Sequence, residues 1–257
     1  MLFEQERMRI LFIGDSIIRG TTGVNWVKHL ARKHPEWTIE NEGVNGDTLT
    51  KIKERLERKL KISRSYDVIV LQGGVNDILI PSFKDRGVLF GNAHCHLLKK
   101  GYHPLKDGPD VETIFHEMIS LIRRRTKATI VLATIGCMSE DPGFYLNDRK
   151  DEFNAIIRKV ARYNGCVLAD IAAIFDPYLS KRKTNSFFLE RFINTAWLDA
   201  FQCRVLNRAD ALSRRRGLHL TIDGLHLNSR GGVIWLHEIE KQLLCCNHPA
   251  WIKALRK

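Results

Sequence analysis

Residues 8–16 read MRILFIGDS, an apolar run that ends in a small residue, a carboxylate and a hydroxyl. The apolar part, Met8 to Ile13, is long enough for a central strand and too short for a buried helix. A small residue followed by a polar one lets the chain turn sharply and exposes the hydroxyl of Ser16. The stretch therefore predicts a buried strand whose carboxyl end presents a serine, although a helix cap or a turn serine has the same local signature.

Further apolar runs along the chain also have the length of strands. They span Trp37 to Asn41, Asp67 to Leu71, Ala128 to Ile135 and Cys166 to Ala169. The segments between them have helical spacing, so strand and helix alternate over the first two-thirds of the chain. This alternation predicts an α/β fold with a central parallel sheet that is covered by helices on both faces.

Apolar side chains at helical spacing mark the expected helices. The stripes are Leu49, Ile52, Leu56 and Leu60; Val111, Ile114, Phe115 and Met118; and Phe153, Ile156, Ile157 and Val160. Asp110 is the expected N-cap of the second helix, because a carboxylate there accepts free backbone N–H groups. A last helix is expected after Asn228, with Val233, Leu236 and Leu243 on its buried face.

Two segments interrupt this rhythm and are expected to be insertions in a single domain over residues 1–257. Residues 81–109 are weakly patterned and rich in Gly, His and Lys, which predicts an irregular loop. Residues 177–217 carry a broad apolar face on an expected helix, formed by Leu189, Phe192, Ile193, Ala196, Trp197 and Phe201. That face is expected to complete the core, cover a dimer interface or wall a pocket.

The chain is strongly basic, with a formal net charge of +12 and an isoelectric point of about 9.6. Such a surface attracts acidic substrates, nucleic acid and anionic lipid headgroups, and composition does not choose among them. The basic runs Arg123 to Arg125, Lys181 to Lys183 and Arg214 to Arg216 match no nucleic-acid motif and lack an aromatic ladder. We therefore expect solvated faces there and no nucleic-acid partner.

The sequence also bears on location and on metal binding. It has no stretch of about 18 apolar residues, so no membrane span is expected. Residues 1–7 carry mixed charges and lack the features of a signal peptide, which predicts a cytoplasmic protein. The cysteines show no CxxC spacing. His94, Cys95, His96 and His103 lack the second half of a Cys/His framework, so neither a metal nor another cofactor is expected.

Three further polar motifs stand where predicted strands end or where the last helix begins. They are NGDT at 45–48, GGVND at 73–77 and DGLH at 223–226. Taken alone, the first is a turn with a helix cap, the second an Asx-turn and the third a commonplace spacing. Because ligands bind at the carboxyl ends of the strands in an open parallel sheet, the motifs are expected to lie together there.

The residue types in these motifs suit one chemistry. Asp223 lies three residues before His226 and can reach its Nδ1–H, which leaves Nε2 free toward Ser16. The N–H of Gly46 and the side-chain amide of Asn76 are neutral donors for a developing oxyanion. Each signal is modest, and their order along the chain is what one active site requires.

In this order and strand context, the motifs resemble those of the SGNH hydrolases, also called the GDSL esterase and lipase family. The resemblance runs from Met8 to about Leu244, and Ile17 replaces the leucine of the GDSL motif. It implies a three-layer α/β/α sandwich with a parallel sheet of flavodoxin-like order.

The resemblance also implies roles for the site residues. Ser16 would be the nucleophile, His226 the general base and Asp223 its orienting acid. The oxyanion hole would combine the Ser16 N–H, the Gly46 N–H and the Asn76 side chain.

The implied activity is hydrolysis of small-molecule carboxylic esters with short acyl groups through an acyl-enzyme. A thioesterase, a lysophospholipase and a carbohydrate O-acetylesterase are alternatives, because the motifs describe only the acyl carbonyl. The basic surface leaves an anionic ester open as a substrate. A non-catalytic anion-binding protein on the same scaffold is a further alternative, and the sequence leaves the oligomeric state open.

Overall fold

The computed structural model describes residues 7–63, 65–188 and 192–246, without the side chains of residues 85, 89 and 192–197. At its centre is a parallel sheet with the strand order β2-β1-β3-β4-β5. The strands are β1 (Arg9–Gly14), β2 (Thr38–Gly43), β3 (Val68–Leu71), β4 (Thr129–Ala133) and β5 (Val167–Ala169). The strands expected from the sequence are present, and their order is flavodoxin-like.

The described helices fill the intervals between the strands. They are α1 (Ser16–Arg19), α2 (Trp26–Lys33), α3 (Leu49–Ile62), α4 (Val75–Ser82), α5 (Val88–Lys99), α6 (Gly108–Arg125), α7 (Tyr145–Tyr163), α8 (Ala172–Ser180), α9 (Phe192–Arg204), α10 (Ala209–Arg215) and α11 (Ser229–Cys246). A 3₁₀ turn, Phe83–Asp85, separates α4 from α5. No helix in the described ranges is long and apolar enough to cross a membrane.

Helices cover both faces of the sheet. α3, α6 and α7 pack side by side, whereas α2 packs against α11. The chain moves from β1 to β2 in one direction and from β2 across to β3 in the other. Because parallel crossovers are right-handed, α2 and α3 lie on opposite faces of the sheet. The result is the predicted α/β/α sandwich.

The predictions for two helices are wrong in detail. Helix α6 begins at Gly108 after Asp107, so Asp110 lies in its first turn and is not the N-cap. Pro109 explains the earlier start, because its restricted φ suits the first turn of a helix. In α11, Val233 is half exposed, since the buried stripe of that helix passes through Trp235 and Ile239.

The two predicted insertions contain more regular structure than expected. Residues 81–109 hold the 3₁₀ turn and all of α5, so they are not an irregular loop. For the apolar face predicted at 189–201, residue 189 and the side chains of 192–197 lie outside the described residues. Phe201 is described and is exposed. The role of that face, and the assignment of residues 1–257 to one domain, therefore stay predictions.

Trp26 joins three elements beside the first strand. Its buried ring lies 5.6 Å from the ring of Phe12 on β1 and 5.5 Å from that of Trp235 on α11. Its Nε1–H donates to the carbonyl oxygen of Ile17 at 2.9 Å. Ile17 follows Ser16 in the chain, so the packing of α2 and α11 also holds the turn that carries Ser16.

Gly43, the last residue of β2, lies against the backbone of α1. A Cβ at this position would lie 2.2 Å from the backbone nitrogen of Arg19 and 2.7 Å from its Cα. These neighbours are backbone atoms, which do not move aside by changing a rotamer. The contact therefore requires glycine and keeps α1 close to the sheet edge.

We expect Gly43→Ala to lower the free energy of unfolding by about 3 kcal/mol, the upper end of the range for overpacking, because the clash is with backbone. Denaturant titration followed by circular dichroism measures this change. Gly91→Ala is the matched control: Gly91 lies inside α5 with no atom within 4 Å of its would-be Cβ. That variant should gain up to about 1 kcal/mol through helix propensity. Equal stability of the two variants would contradict the close approach.

Candidate active site

All of the residues that the sequence singled out for the site line one cavity of about 240 Å³. They are Ser16, Gly46, Asn76, Asp223 and His226. The other wall of the cavity is largely apolar and consists of Leu79, Ile80, Phe83, Leu97 and Leu225. The cavity thus has a polar side at the ends of the strands and an apolar side built mainly by α4, the 3₁₀ turn and α5.

Ser16 begins α1 immediately after the Asp15 N-cap. The Asp15 carboxylate accepts the backbone N–H of Ile17 at 2.9 Å. Gln72, which follows β3, donates to the same carboxylate at 2.9 Å and accepts the backbone N–H of Asp15 at 3.2 Å. These bonds hold the turn from both sides, so the Ser16 hydroxyl has a fixed position. Sequence reasoning missed Gln72, which carries no motif of its own.

His226 connects the Asp223 carboxylate with the Ser16 hydroxyl. Its Nδ1 lies 2.7 Å from Asp223 Oδ2, and its Nε2 lies 3.0 Å from Ser16 Oγ. Asp223 Oδ1 also accepts the backbone N–H groups of Leu225 and His226. Since a carboxylate only accepts, the proton of neutral His226 lies on Nδ1, and Nε2 is left to accept from the serine hydroxyl.

The electrostatics of this pair favour a charged histidine. Burial lowers the pKa of His226, but the negative charge and hydrogen bond of Asp223 outweigh it and raise the pKa above its usual 6.5. Burial raises the pKa of Asp223, and its interactions with His226 bring it below the usual value. The arrangement therefore stabilises an imidazolium beside an ionised carboxylate.

Asn76 and Gly46 face the same cavity from the other two strand ends. Asn76 Nδ2 donates to the carbonyl oxygen of Asp47 at 2.9 Å, which uses one of its two N–H groups. Gly46 has a φ of +83°, which favours glycine, and no atom lies within 4 Å of its would-be Cβ. The backbone at Gly46 is thus open to a close approach by a ligand.

Arg55 on α3 ties two of these segments together. Its guanidinium donates to Asp47 Oδ2 at 2.6 Å, to the carbonyl oxygen of Gly14 at 2.8 Å and to the carbonyl oxygen of Glu42. The loop that carries Gly46 is therefore linked directly to the end of β1. Arg55 lies on a basic helix, where nothing in the sequence distinguishes it from its exposed neighbours.

A buried carboxylate holds the loop that carries Asp223 and His226. Glu140 lies after β4 and accepts the backbone N–H groups of His219, Leu220 and Thr221 at 2.6 to 2.7 Å. It also accepts the Thr221 hydroxyl at 2.7 Å, and that hydroxyl oxygen accepts the N–H of Gly224. Glu140 thus sets the start of the loop, although the stretch around it in the sequence has no recognisable motif.

His94, which the sequence placed beside Cys95 and His96, contacts the helix before it. His94 lies on α5, where its Nδ1 is 3.0 Å from the carbonyl oxygen of Ile80. This contact holds α5 against α4 and so supports the apolar wall of the cavity.

Residues 12–232 match the family model described as GDSL-like lipase/acylhydrolase. Among curated protein sequences, none matches significantly.

Solved structures with similar folds include two acetyl xylan esterases. AlAXEase is 18% identical with a TM-score of 0.60, over 91% of this chain and 98% of that one. Axe2 from Geobacillus stearothermophilus is 18% identical with a TM-score of 0.60, over 92% and 94%. LAE5, an alpha/beta hydrolase from the metagenome of Lake Arreo in Spain, has the same identity and TM-score over 94% and 97%. At this identity the likeness concerns the fold.

The family match covers most of the chain and includes the segments that carry Ser16, Gly46, Asn76 and His226. The chain belongs to the GDSL-like lipase/acylhydrolase family and is a serine carboxylic-ester hydrolase.

Proposed function

We propose that the protein hydrolyses esters with short acyl groups, with Ser16 as nucleophile, His226 as general base and Asp223 as its orienting acid. The observation that carries the proposal is the continuous set of hydrogen bonds from Asp223 through His226 to Ser16 Oγ. In Axe2, variants described as catalytic mutants replace a histidine or a serine by alanine, which agrees with the residue types.

The reaction has two halves. Ser16 Oγ attacks the acyl carbonyl carbon while His226 Nε2 takes the hydroxyl proton. The bond to the leaving oxygen then breaks, the imidazolium returns its proton to the alcohol, and the acyl group stays on Ser16. Water repeats the attack with His226 as base, which releases the acid and restores the Ser16 hydroxyl.

The carbonyl oxygen becomes negative during each half, and we propose that three neutral donors receive it. They are the backbone N–H groups of Ser16 and Gly46 and the free N–H of the Asn76 amide. Ser16 is the first residue of α1, so its backbone N–H has no acceptor within that helix. Neutral donors also leave the charge on His226 unperturbed.

The size and lining of the cavity favour a short acyl chain. An apolar cavity of about 150 Å³ takes one benzene molecule, so a volume of about 240 Å³ has room for an ester group and a few carbons. Leu79, Phe83 and Leu97 offer the acyl chain an apolar wall. The net charge of +12 favours an anionic ester among such substrates.

A carbohydrate O-acetylesterase is the second candidate. It is favoured by the acetyl xylan esterases whose folds span nearly the whole chain. The short acyl group is common to both candidates, which differ only in the alcohol that leaves. A panel of acetylated sugars beside simple acetyl esters distinguishes them through kcat/KM.

We also propose that the chain is a single domain that works in the cytoplasm. The cysteines Cys95, Cys137, Cys166, Cys203, Cys245 and Cys246 are free thiols, as expected in a reducing compartment.

For Ser16→Ala we expect kcat on p-nitrophenyl acetate to fall by about 10⁴-fold or more, because the acyl-enzyme cannot form. A fluorophosphonate probe should label the wild type and not the variant. The matched control is Ser120→Ala, an exposed position on α6, which should keep full activity and labelling. Unchanged esterase activity in Ser16→Ala would refute the proposed nucleophile.

For Asn76→Ala we expect kcat to fall by about 10² to 10³-fold with little change in KM, because an oxyanion donor acts mainly in the transition state. Asn45→Ala is the control, since Asn45 also lines the cavity but pairs with the Thr21 hydroxyl. It should stay within a few-fold of the wild type. Full activity of a folded Asn76→Ala would remove Asn76 from the oxyanion hole.

We expect Glu140→Gln to lower kcat by about ten-fold or more at constant KM, because an amide NH₂ in place of one carboxylate oxygen opposes the loop N–H groups. Glu240→Gln on α11 is the control: Glu240 is also buried but binds His34 and Lys33. Both variants should lose about 1 to 3 kcal/mol of stability, and only Glu140→Gln should lose kcat well below its melting temperature. Equal kcat in the two would leave Glu140 without a positioning role.

A further inference from the structure

One side of α9 exposes a stripe of large apolar side chains. Leu198, Phe201 and Val205 are 57%, 55% and 62% exposed, and Leu206 directly after them is 45% exposed. The first three follow the spacing i, i+3 and i+7, so they share one face of the helical segment. Single exposed apolar residues are common on protein surfaces. A cluster within nine residues marks an interaction site.

The opposite side of α9 is buried and fixes the direction of the stripe. Asp199 is paired through both carboxylate oxygens with the guanidinium of Arg216 on the neighbouring segment. Cys203 packs with Ala209, Leu212 and Ile222 in a small core of their own. Because this face holds the helix to the protein, the apolar stripe points to solvent.

The charges around the stripe have one sign. Within residues 198–216, the exposed charged side chains are Arg204, Arg208, Arg214 and Arg215. Both carboxylates of that range are engaged: Asp199 binds Arg216, and Asp210 accepts the backbone N–H of Ser229. The exposed charged side chains within the stripe and directly after it in the chain are thus all arginines, and no exposed carboxylate of this range balances their charge.

From this combination we propose that the α9 surface, defined as Leu198, Phe201, Val205, Leu206 and the four arginines, docks on an anionic lipid surface. Apolar side chains enter the boundary between headgroups and acyl chains, and arginines pair with the anionic headgroups. A second copy of this chain would bring arginines against arginines, and a nucleic acid would leave the apolar stripe in water. An anionic lipid surface can accept both the apolar stripe and the arginines.

The docked helix lies next to the candidate active site. Val24 packs against the small core that contains Cys203, and Thr22, two residues before it, lines the site cavity. Ile222, which packs with Cys203, directly precedes Asp223. Docking through α9 therefore brings the cavity close to the lipid surface. The docking itself does not depend on ester hydrolysis, so the two proposals can fail separately.

The test is co-sedimentation of the full chain with vesicles of phosphatidylcholine, with and without phosphatidylglycerol. We expect binding to the mixed vesicles that weakens as salt is raised, and little binding to phosphatidylcholine alone. Arg204→Glu with Arg208→Glu should lower the partition coefficient by more than about 25-fold, since each removed charge accounts for about five-fold. Phe201→Ser with Val205→Ser should lower it by about 10-fold or more.

Two controls separate docking from other effects. Tyr163→Ser on α7 removes an even more exposed aromatic side chain, 82% exposed, outside the α9 surface and should leave binding unchanged. All α9 variants should keep the wild-type rate on a soluble ester. Equal binding to vesicles with and without phosphatidylglycerol, or no binding to either, would overturn the proposal. So would gel filtration showing a dimer that the Phe201→Ser and Val205→Ser changes dissociate.

Discussion

Strand β1 lies between β2 and β3, and its parallel register with both decides where three residues of the candidate site lie. Gly14 is opposite Gly43, and Ile13 is opposite Leu71, so these strands end at the same level. Parallel strands end at one edge of a sheet, and the segments that follow them therefore emerge side by side. Ser16, Gly46 and Asn76 meet for this reason, although α2 and α3 separate them along the chain.

The sheet edge brings the segments close, and polar side chains that are buried or half-buried then set their relative positions. Gln72 holds Asp15, Arg55 holds the loop after β2, and Glu140 holds the loop before His226. Each of these groups lost most or all of its water on folding, and its hydrogen bonds are needed to offset that cost. A poorly formed hydrogen bond to such a group is costly, so the bonds that satisfy it also restrict the geometry of the site.

The departures from the flavodoxin-like pattern carry the features specific to this chain. The segment after α4 supplies Leu97, which walls the cavity, and His94, which fastens α5 to α4. The segment after β5 supplies α9, with arginines and apolar side chains facing solvent beside the same cavity. The sheet thus positions the polar residues of the candidate site, while the added helices form its apolar wall and the surface beside it.

The sequence by itself determined the strands, their parallel arrangement and the residues that line the polar side of the candidate site, because apolar periodicity and short polar motifs are local signals. Ser16, Gly46, Asn76, Asp223 and His226 each follow a strand or precede a helix, and that placement is readable residue by residue. Only the tertiary structure decided that α5 replaces an expected loop and that Glu140 reaches Thr221, 81 residues further along the chain. A buried glutamate and an exposed one look alike in sequence, since their difference lies in which distant backbone groups surround them.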